Sequence, residues 1–338
     1  MVEWFGSRLS PVLAGMVLSL CLAQPLARAQ TSSKPIRVGV LLSGSQAEWA
    51  PYEAALVDGL RDRGYVEGRN LTLLRRYGDL QGARIRSSAA DLASLQVNVI
   101  VTSCTTTTRV AASAAPETPV VMASIPDPVL AGLVSSLARP GGKITGRASM
   151  ALELLPKRLE LLRTLLPESA RSGARIAVLM NGKDPAHEMQ WQSAEAGARV
   201  LNLDLVRVEA NGPSAVDVAL DTLANANVKG VLVLSDDPTM IENRVRIAAA
   251  LVKLGLPSIT GSRDFADAGL LLTYGMAMRD DYRLSAAHVV KVANGVDPAT
   301  LPIEQPTKFQ LTINLKTAAA MGLKIPRELL LRADSVIE

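Results

Sequence analysis

The amino-acid sequence predicts an α/β fold with two lobes, each a parallel β-sheet flanked by helices. One observation is a regular alternation of short apolar segments with amphipathic segments of helical period, which is typical of doubly wound sheets. A second is that segments such as 97–101 carry apolar residues on both faces, as parallel strands covered by helices must. The third is that the pattern starts again at Ala174.

The first half of the pattern contains four strands and three helices. Residues 36–42 form an apolar strand, and an amphipathic helix follows from about Glu48 to Arg63. Gly64 ends this helix, because glycine readily adopts the backbone conformation that terminates one. The remaining predicted elements are strand 71–77, helix 83–95, strand 97–102, helix 105–115 and strand 119–123.

The second half repeats the first in outline. Segment 174–182 is similar to segment 36–44, and segment 228–235 is similar to 97–103. A single sheet of ten or more strands is the alternative interpretation. Open twisted sheets rarely grow so large, so the repeat favours two lobes.

The positions of the connections define the predicted lobes. We expect the join within 146–154, with further crossings of the chain near 273–276 and 302–306. Several crossings indicate a hinge rather than a loose tether. The predicted lobes are 30–148 plus 276–304, and 149–275 plus 305–338.

The N-terminus has the pattern of a secretory signal peptide. Arg8 precedes an apolar stretch over 11–22, and the small-x-small triplet 27–29 predicts cleavage after Ala29. The apolar stretch is shorter than the roughly 20 residues of a spanning helix. Lipid attachment at Cys21 is the alternative, but the preceding Leu20 is larger than the residue usual there. We therefore expect export to the periplasm.

Charge and cysteine content limit the possible partners. Cleavage removes two basic residues and one acidic residue from totals of 36 and 32, which leaves a formal charge of +3. Both signs are interspersed, and no basic stripe or nucleic-acid-binding motif is present, which argues against a nucleic-acid partner. Only Cys104 remains after cleavage, so no intramolecular disulfide can form.

Small and polar residues follow several of the predicted strands. In open α/β sheets, ligands bind beyond the carboxyl ends of the strands, where loops and helix N-termini present free N–H groups. If the lobes face one another, these loops converge on one concave site. The loops are 43–45, 102–106, 125–127, Asn181, 235–237 and 260–263.

A run of hydroxyl residues lies between a strand and a helix at 102–108. Thr102, Ser103 and Thr105 could cap the helix, or could bind an anionic group such as a carboxylate together with backbone N–H groups. Several hydroxyls exceed what one cap requires, which favours ligand contact. Cys104 is interpreted as a packing residue rather than a reactive thiol, since no histidine is near it in sequence.

Three aspartates are further candidates for ligand contact. Asp236 and Asp237 follow a predicted strand of the second lobe, where a carboxylate could pair with an ammonium group. Asp before Pro238 is also an ordinary helix cap, and the two roles are compatible. Asp127, between two prolines, is either a turn residue or a ligand contact.

Other kinds of chemistry have no sequence support. His187 and His288 stand alone on helices that we predict to be exposed, and no metal-binding spacing surrounds them. No nucleophile elbow, phosphate loop or dinucleotide fingerprint occurs. The sequence therefore predicts no cofactor, no metal and no catalysis.

Several motifs in chain order resemble one protein family. The segments that carry the resemblance are 64–70, 127–129, 132–142, 145–146, 157–162, 274–275, 304–309 and 314–318. They resemble the ABC transporter substrate-binding protein family, whose members include tryptophan- and tyrosine-binding proteins, and the match covers essentially the whole mature chain in the same order.

The resemblance implies a periplasmic-binding-protein type I fold, a closing hinge, a small-molecule ligand and a membrane permease as partner. It implies ligand contacts at Ser43, Ser45, Thr102, Ser103, Thr105, Asp127, and Asp236 or Asp237. Segment 103–107 stands where the family often has Gly-Gly-Thr-Pro-Ala, and segment 235–238 is one residue longer than usual. Both departures argue against an aromatic amino acid as the ligand.

Three functional hypotheses remain from the sequence. The first is a monomeric receptor that presents a small organic solute, such as an amino acid or related carboxylate, to an ABC importer. The second is a ligand sensor for a membrane signalling receptor, which would use the same fold. The third is an exported α/β enzyme, for which no nucleophile and base occur at recognisable spacing.

Overall fold

A computed structural model describes residues 34–338 of the chain. The predicted signal peptide, its cleavage after Ala29 and the alternative lipid site at Cys21 lie outside these residues. Within 34–338, every helix is too short or too polar to cross a lipid bilayer.

Five strands form the first of two β-sheets, here called the N-terminal sheet. Their spatial order is β2-β1-β3-β4-β5, and all neighbours are parallel. The strands are β1 (Ile36–Leu42), β2 (Leu71–Tyr77), β3 (Val99–Thr102), β4 (Val120–Ile125) and β5 (Ile144–Ala148). The order doubles back at β1, as in a doubly wound sheet.

Seven strands form the second sheet, here called the C-terminal sheet, in the order β12-β11-β10-β9-β8-β6-β7. All neighbouring pairs are parallel except β10 with β11. The strands are β6 (Ala174–Met180), β7 (Leu203–Glu209), β8 (Gly230–Val233), β9 (Ser258–Thr260), β10 (Leu272–Gly275), β11 (Gln310–Asn314) and β12 (Ser335–Ile337).

The antiparallel strand β11 departs from the predicted all-parallel lobe. Gln310, the first residue of β11, lies opposite Gly275, the last residue of β10. The chain enters β11 at the carboxyl end of β10, because it arrives there from helix α10 (Met278–Ala293) on the N-terminal sheet. A strand that begins at that end has to run in the opposite direction.

Helices cover both faces of each sheet. In the first half these are α1 (Gln46–Arg61), α2 (Gly82–Ser94) and α3 (Thr105–Ala114). The others are α4 (Leu155–Thr164), α5 (Pro185–Leu201), α6 (Val216–Asn225), α7 (Pro238–Glu242), α8 (Arg244–Lys253), α9 (Arg263–Asp267), α10 (Met278–Ala293), α11 (Leu315–Ala320) and α12 (Arg327–Leu331). Short 3₁₀ turns occur at Glu168–Ala170 and Pro213–Ala215.

Four apolar layers form the core, one on each face of each sheet. In β1, Val38 and Val40 pack towards α1 and α10, whereas Leu41 packs towards α2 and α3. In β6, Ile176 packs towards α4 and α5, and Ala177 packs towards α6 and α8. Strands buried on both faces explain why the sequence shows continuous apolar runs rather than alternation.

The chain passes between the sheets three times: between β5 and α4, between β10 and α10, and between α10 and β11. Two of these passages lie side by side. The N–H of Ala148 donates to the carbonyl of Glu304 at 2.9 Å, and the N–H of Glu304 donates to Gly146 at 3.0 Å. Paired connecting segments limit the directions in which one sheet can move against the other.

Gly59 allows α1 and α10 to pack closely. A Cβ atom at Gly59 would lie 2.1 Å from the carbonyl oxygen of Arg283 and 2.9 Å from Cβ of Ala286. We expect Gly59→Ala to lower the free energy of unfolding by about 1–3 kcal/mol, because the helices have to separate. Urea unfolding measures this effect. The control is Gly142→Ala, where a Cβ would have no atom within 4 Å; equal losses in both variants would contradict the explanation.

Candidate functional site

The carboxyl ends of strands from both sheets face two adjoining cavities. The small cavity, ≈ 60 Å³, is lined by Ser103 from the N-terminal sheet and by Arg158 and Asp236 from the C-terminal sheet, among others. The large cavity, ≈ 250 Å³, has Ser43 and Thr105 on one side and Asp237 on the other. Ser124 and Asp236 line both cavities, which places the two spaces in one cleft.

The structure brings together at this cleft most of the residues that the sequence predicted to contact a ligand. Their common feature is a position directly after a parallel strand. The cavity-lining residues from the prediction are Ser43, Ser103, Thr105, Asp236 and Asp237.

Three other predicted residues line neither cavity and are bonded elsewhere. Thr102 is fully buried, and its hydroxyl lies 2.7 Å from that of Thr108. Ser45 caps α1 by accepting from the N–H of Glu48 at 3.4 Å. Asp127 accepts from two N–H groups of its own turn, at 3.0 and 2.9 Å.

The hydroxyl loop before α3 is connected internally. The hydroxyl of Ser103 accepts from the N–H of Ser43 at 3.0 Å and donates to its hydroxyl at 3.2 Å. The hydroxyl of Thr107 accepts from the N–H groups of Ser103 and Cys104, at 3.2 and 3.1 Å. Thr107 therefore occupies N–H groups that would otherwise be free to bind an anion. Burial raises the pKa of the Cys104 thiol, which disfavours the reactive thiolate.

The two adjacent aspartates have different environments. Asp237 is buried; one carboxylate oxygen accepts from the N–H of Thr239 at 2.8 Å and caps α7, and the other accepts from Asn181 at 3.1 Å. Asp236 accepts from the side chain of Gln190 at 2.7 Å and borders both cavities. Asp236 thus has the carboxylate with more freedom to meet a ligand.

His187 lies beside Asp236, contrary to the sequence prediction. His187 and His288 are both fully buried, so their predicted exposure was wrong. Nδ1 of His187 accepts from the N–H of Asn181 at 2.9 Å, and Nε2 lies 3.6 Å from Asp236. Burial disfavours the charged imidazole, but the neighbouring carboxylates outweigh burial and raise the pKa of His187. Burial likewise opposes ionisation of Asp236. The neighbouring His187 outweighs burial and keeps the pKa of Asp236 below its usual range.

Both histidines are buried because their helices pack against connecting segments at those positions. His187 lies in the first turn of α5, folded back over the loop after β6. Nε2 of His288 lies 3.1 Å from the carbonyl oxygen of Pro302, in the passage towards β11. Within 34–338, no group of three or more His, Cys, Asp or Glu side chains is placed to hold a metal ion.

Sequence reasoning missed Arg158 on α4. Its side chain is buried and lines the small cavity. A signal was present, because Arg158 lies three residues after Leu155 and four before Leu162, and therefore on the apolar face of the helix. A charged residue at an apolar position of an amphipathic helix indicates a buried charge, which is a candidate for a binding role.

A buried ion pair was also missed. Nε of Arg147 lies 2.8 Å from Asp281, and the two side chains are 4% and 2% exposed. Asp281 also accepts from the hydroxyl of Ser124 at 2.9 Å, and Arg147 forms a second pair with Glu304 at 2.9 Å. Burial raises the pKa of Asp281 even though Arg147 lowers it. Together with Glu304, this pair joins α10, β5 and the passage between α10 and β11.

Four polar contacts, here called the rim contacts, join the two sheets at the edge of the cleft. Ser45 N–H donates to Glu242 at 2.6 Å, and Tyr52 donates to Asp264 at 3.0 Å. The other two are the ion pairs Arg279–Asp264, at 3.1 Å, and Arg244–Glu48. Burial, and then the charge of Asp264, raises the pKa of Tyr52. The rim contacts hold the sheets together over the cavities.

Comparison with known proteins identifies the family of this chain. Residues 38–337 match the sequence profile of the family described as ABC transporter substrate binding protein. A tyrosine-binding protein of Clostridioides difficile is 24% identical over 273 residues, which cover 79% of this chain and 75% of that protein.

Two solved structures share the fold. The ABC domain from Streptococcus pneumonia in complex with L-Trp has a TM-score of 0.82 and 22% identity, covering 90% of this chain and all of that one. The ligand-free, open structure of a substrate binding protein with adhesive properties from Clostridium difficile has a TM-score of 0.64 and 19% identity, covering 89% and 99%. The predicted periplasmic-binding-protein type I fold is confirmed. Because the profile match extends over nearly the whole described chain, the resemblance in the sequence is also confirmed: the chain belongs to the ABC transporter substrate binding protein family.

Proposed function

We propose that this protein captures a small organic solute in the cleft between two closing lobes and delivers it to an ABC permease. The lobes are those predicted from the sequence, 30–148 plus 276–304 and 149–275 plus 305–338. The observation that carries the proposal is the pair of adjoining cavities, which both sheets line with hydroxyl and charged side chains. Such sites form where strand ends face each other.

The solute proposed is an amino acid or a related carboxylate. Ser43, Ser103 and Thr105 offer hydroxyls from one lobe, and Asp236 offers a carboxylate for an ammonium group from the other. Met276 and Phe309 add apolar surface to the small cavity, where a side chain of the solute would pack. The tyrosine-binding relative and the L-Trp complex support the amino-acid class.

We assign Asp237 a structural role beside this contact. Its two oxygens are already bonded to Thr239 and Asn181, so it holds the loop that presents Asp236. Ser45, Thr102 and Asp127 serve in the same way, through the helix cap, the buried hydroxyl pair and the turn described above.

The proposed setting is the periplasm, reached through the signal peptide and its cleavage after Ala29. The mature protein acts there as a monomer and releases the solute chemically unchanged. Membership of a family of binding proteins supports this reading over the enzyme hypothesis.

A thermal-shift screen of the mature protein against amino acids and organic acids tests the proposal. A bound solute raises the melting temperature, and at a hundred times the dissociation constant it adds about 2.7 kcal/mol of stability. Small-angle scattering should show a smaller radius of gyration with the solute, because the lobes close. Superimposable scattering profiles would contradict closure, and a solute recovered in altered form, seen by mass spectrometry, would contradict pure binding.

A further inference from the structure

Arg158 is a buried cation without a matching anion. Its side chain belongs to a residue that is 5% exposed. Among residues 34–338, no carboxylate oxygen lies within 4.0 Å of its guanidinium nitrogens. This distinguishes Arg158 from Arg147, another deeply buried arginine, which is paired with Asp281.

Neutral carbonyl groups hold the guanidinium in place. Nε donates to the carbonyl of Tyr274 at 2.9 Å, and Nη1 donates to that of Ala151 at 3.4 Å. A guanidinium has five N–H donors, so several remain for another partner. Carbonyl dipoles fix the orientation of the group but leave its charge without a counterion.

Two glycines leave room for this guanidinium. A Cβ atom at Gly261 would lie 2.5 Å from Nη2 of Arg158, and one at Gly275 would lie 3.3 Å from the same atom. Gly261 and Arg158 both line the small cavity. The wall of the cavity is therefore shaped around the end of the arginine side chain.

Asp236, a carboxylate that lines the same cavity, does not form an ion pair with Arg158. Asp236 accepts from Gln190 and faces His187, and it reaches Arg158 only through its electrostatic field. Burial lowers the pKa of Arg158 to about 10, which still leaves the group cationic at neutral pH. A cation taken out of water without a counterion is costly, and a bound anion removes that cost.

We propose that Arg158 binds the carboxylate of the solute, while Asp236 binds its ammonium group. The inference rests on the proposed function, because it assumes that the cleft is the solute site. A guanidinium and a carboxylate form two parallel hydrogen bonds, which fix the orientation of the solute as well as adding affinity. Arg158 takes the place of the hydroxyl loop as the anion-binding group, because Thr107 already occupies N–H groups of that loop.

The test compares each of the twenty amino acids with its carboxamide on the mature wild-type protein. The carboxamide keeps the ammonium and the side chain but removes the negative charge. We expect acids that raise the melting temperature to bind at least about tenfold more tightly than their amides in calorimetry. Amides that bind as tightly as the acids would overturn the assignment while leaving the proposed function intact.

Substitution of Arg158 shows whether this residue causes the preference for acids over amides. Arg158→Gln should weaken binding of the acids by roughly 10- to 150-fold and remove most of the preference over the amides. Arg163→Gln, on the same helix but outside both cavities, is the control and should bind as the wild type does. An undiminished preference for acids in Arg158→Gln would overturn the proposal.

Two further measurements separate other causes of failure. Melting curves without solute report whether Arg158→Gln folds, and if it does not, the comparison of acids with amides on the wild type decides alone. If none of the amino acids and none of the amides raises the wild-type melting temperature, the amino-acid class proposed for the solute fails, and the assignment of Arg158 to its carboxylate fails with it.

Discussion

Arg147→Met is expected to lower the free energy of unfolding by about 3–5 kcal/mol. The guanidinium neutralises Asp281 where both side chains are almost completely buried, at 4% and 2% exposed. Methionine has similar bulk but no charge, so among residues 34–338 the substitution leaves the buried carboxylate with only the hydroxyl of Ser124 as a side-chain partner. Urea unfolding at neutral pH measures the loss.

The pH dependence of this loss identifies its cause. Burial already raises the pKa of Asp281 above its usual value of 3.8, and removing Arg147 raises that pKa further. A carboxyl group whose pKa is higher in the folded state stabilises the fold below its unfolded pKa and loses that contribution as pH rises through the folded pKa. The deficit of Arg147→Met should therefore be greatest at neutral pH and shrink on acidification.

Arg283→Met is the matched control. Arg283 is also paired with an aspartate, Asp62, at 2.7 Å, but both side chains are about half exposed. Exposed pairs contribute at most about 1 kcal/mol, because water and salt screen them. Equal losses in the two variants, or a deficit in Arg147→Met that does not change with pH, would show that burial of the pair is not the cause.

Asp236→Asn is expected to weaken solute binding by about 2–5 kcal/mol, with the fold retained. In the proposed complex the carboxylate neutralises an ammonium group inside a closed cleft. Asparagine keeps the shape and can still bond to Gln190, but it has no charge. The ammonium is then stranded in a poorly hydrated space. Calorimetry with a solute found in the screen measures the loss, and melting curves without solute verify folding.

Asp237→Asn distinguishes the two adjacent carboxylates. Because Asp237 caps α7 and holds Asn181, we expect this variant to lose about 1 kcal/mol of stability and less binding affinity than Asp236→Asn. If Asp237→Asn abolishes binding and Asp236→Asn does not, the contact lies one residue further along this loop than proposed.

Several strands of the fold could be predicted from the sequence because each of them has a local pattern of residues. Strands β1 and β2 have the predicted bounds, because apolar runs between polar loops are a local signal. The direction of β11 leaves no such signal. It depends on the edge of the sheet at which the chain arrives, which is a property of the whole fold.

The site was predicted in part by a rule about strand ends. Ser43, Ser103 and Asp236 follow parallel strands, and position alone places them at the cleft. Thr102 lies one residue earlier, still in β3, where it is fully buried. Arg158 and Asp281 come from α4 and α10, which follow passages of the chain between the sheets, and the sequence does not state which helix faces reach the cleft.

The rim contacts influence how long a captured solute stays. Glu48, Arg244 and Arg279 are partly exposed, so dissolved ions weaken their attraction, with a screening length of about 8 Å at physiological ionic strength. Arg158 is only 5% exposed and is screened less. Added salt should therefore speed opening of the cleft and shorten the residence time of the solute. It should have a smaller effect on the contacts that Arg158 makes inside the cleft. Ionic strength then acts on the kinetics of release through the edge of the cleft rather than through the buried Arg158.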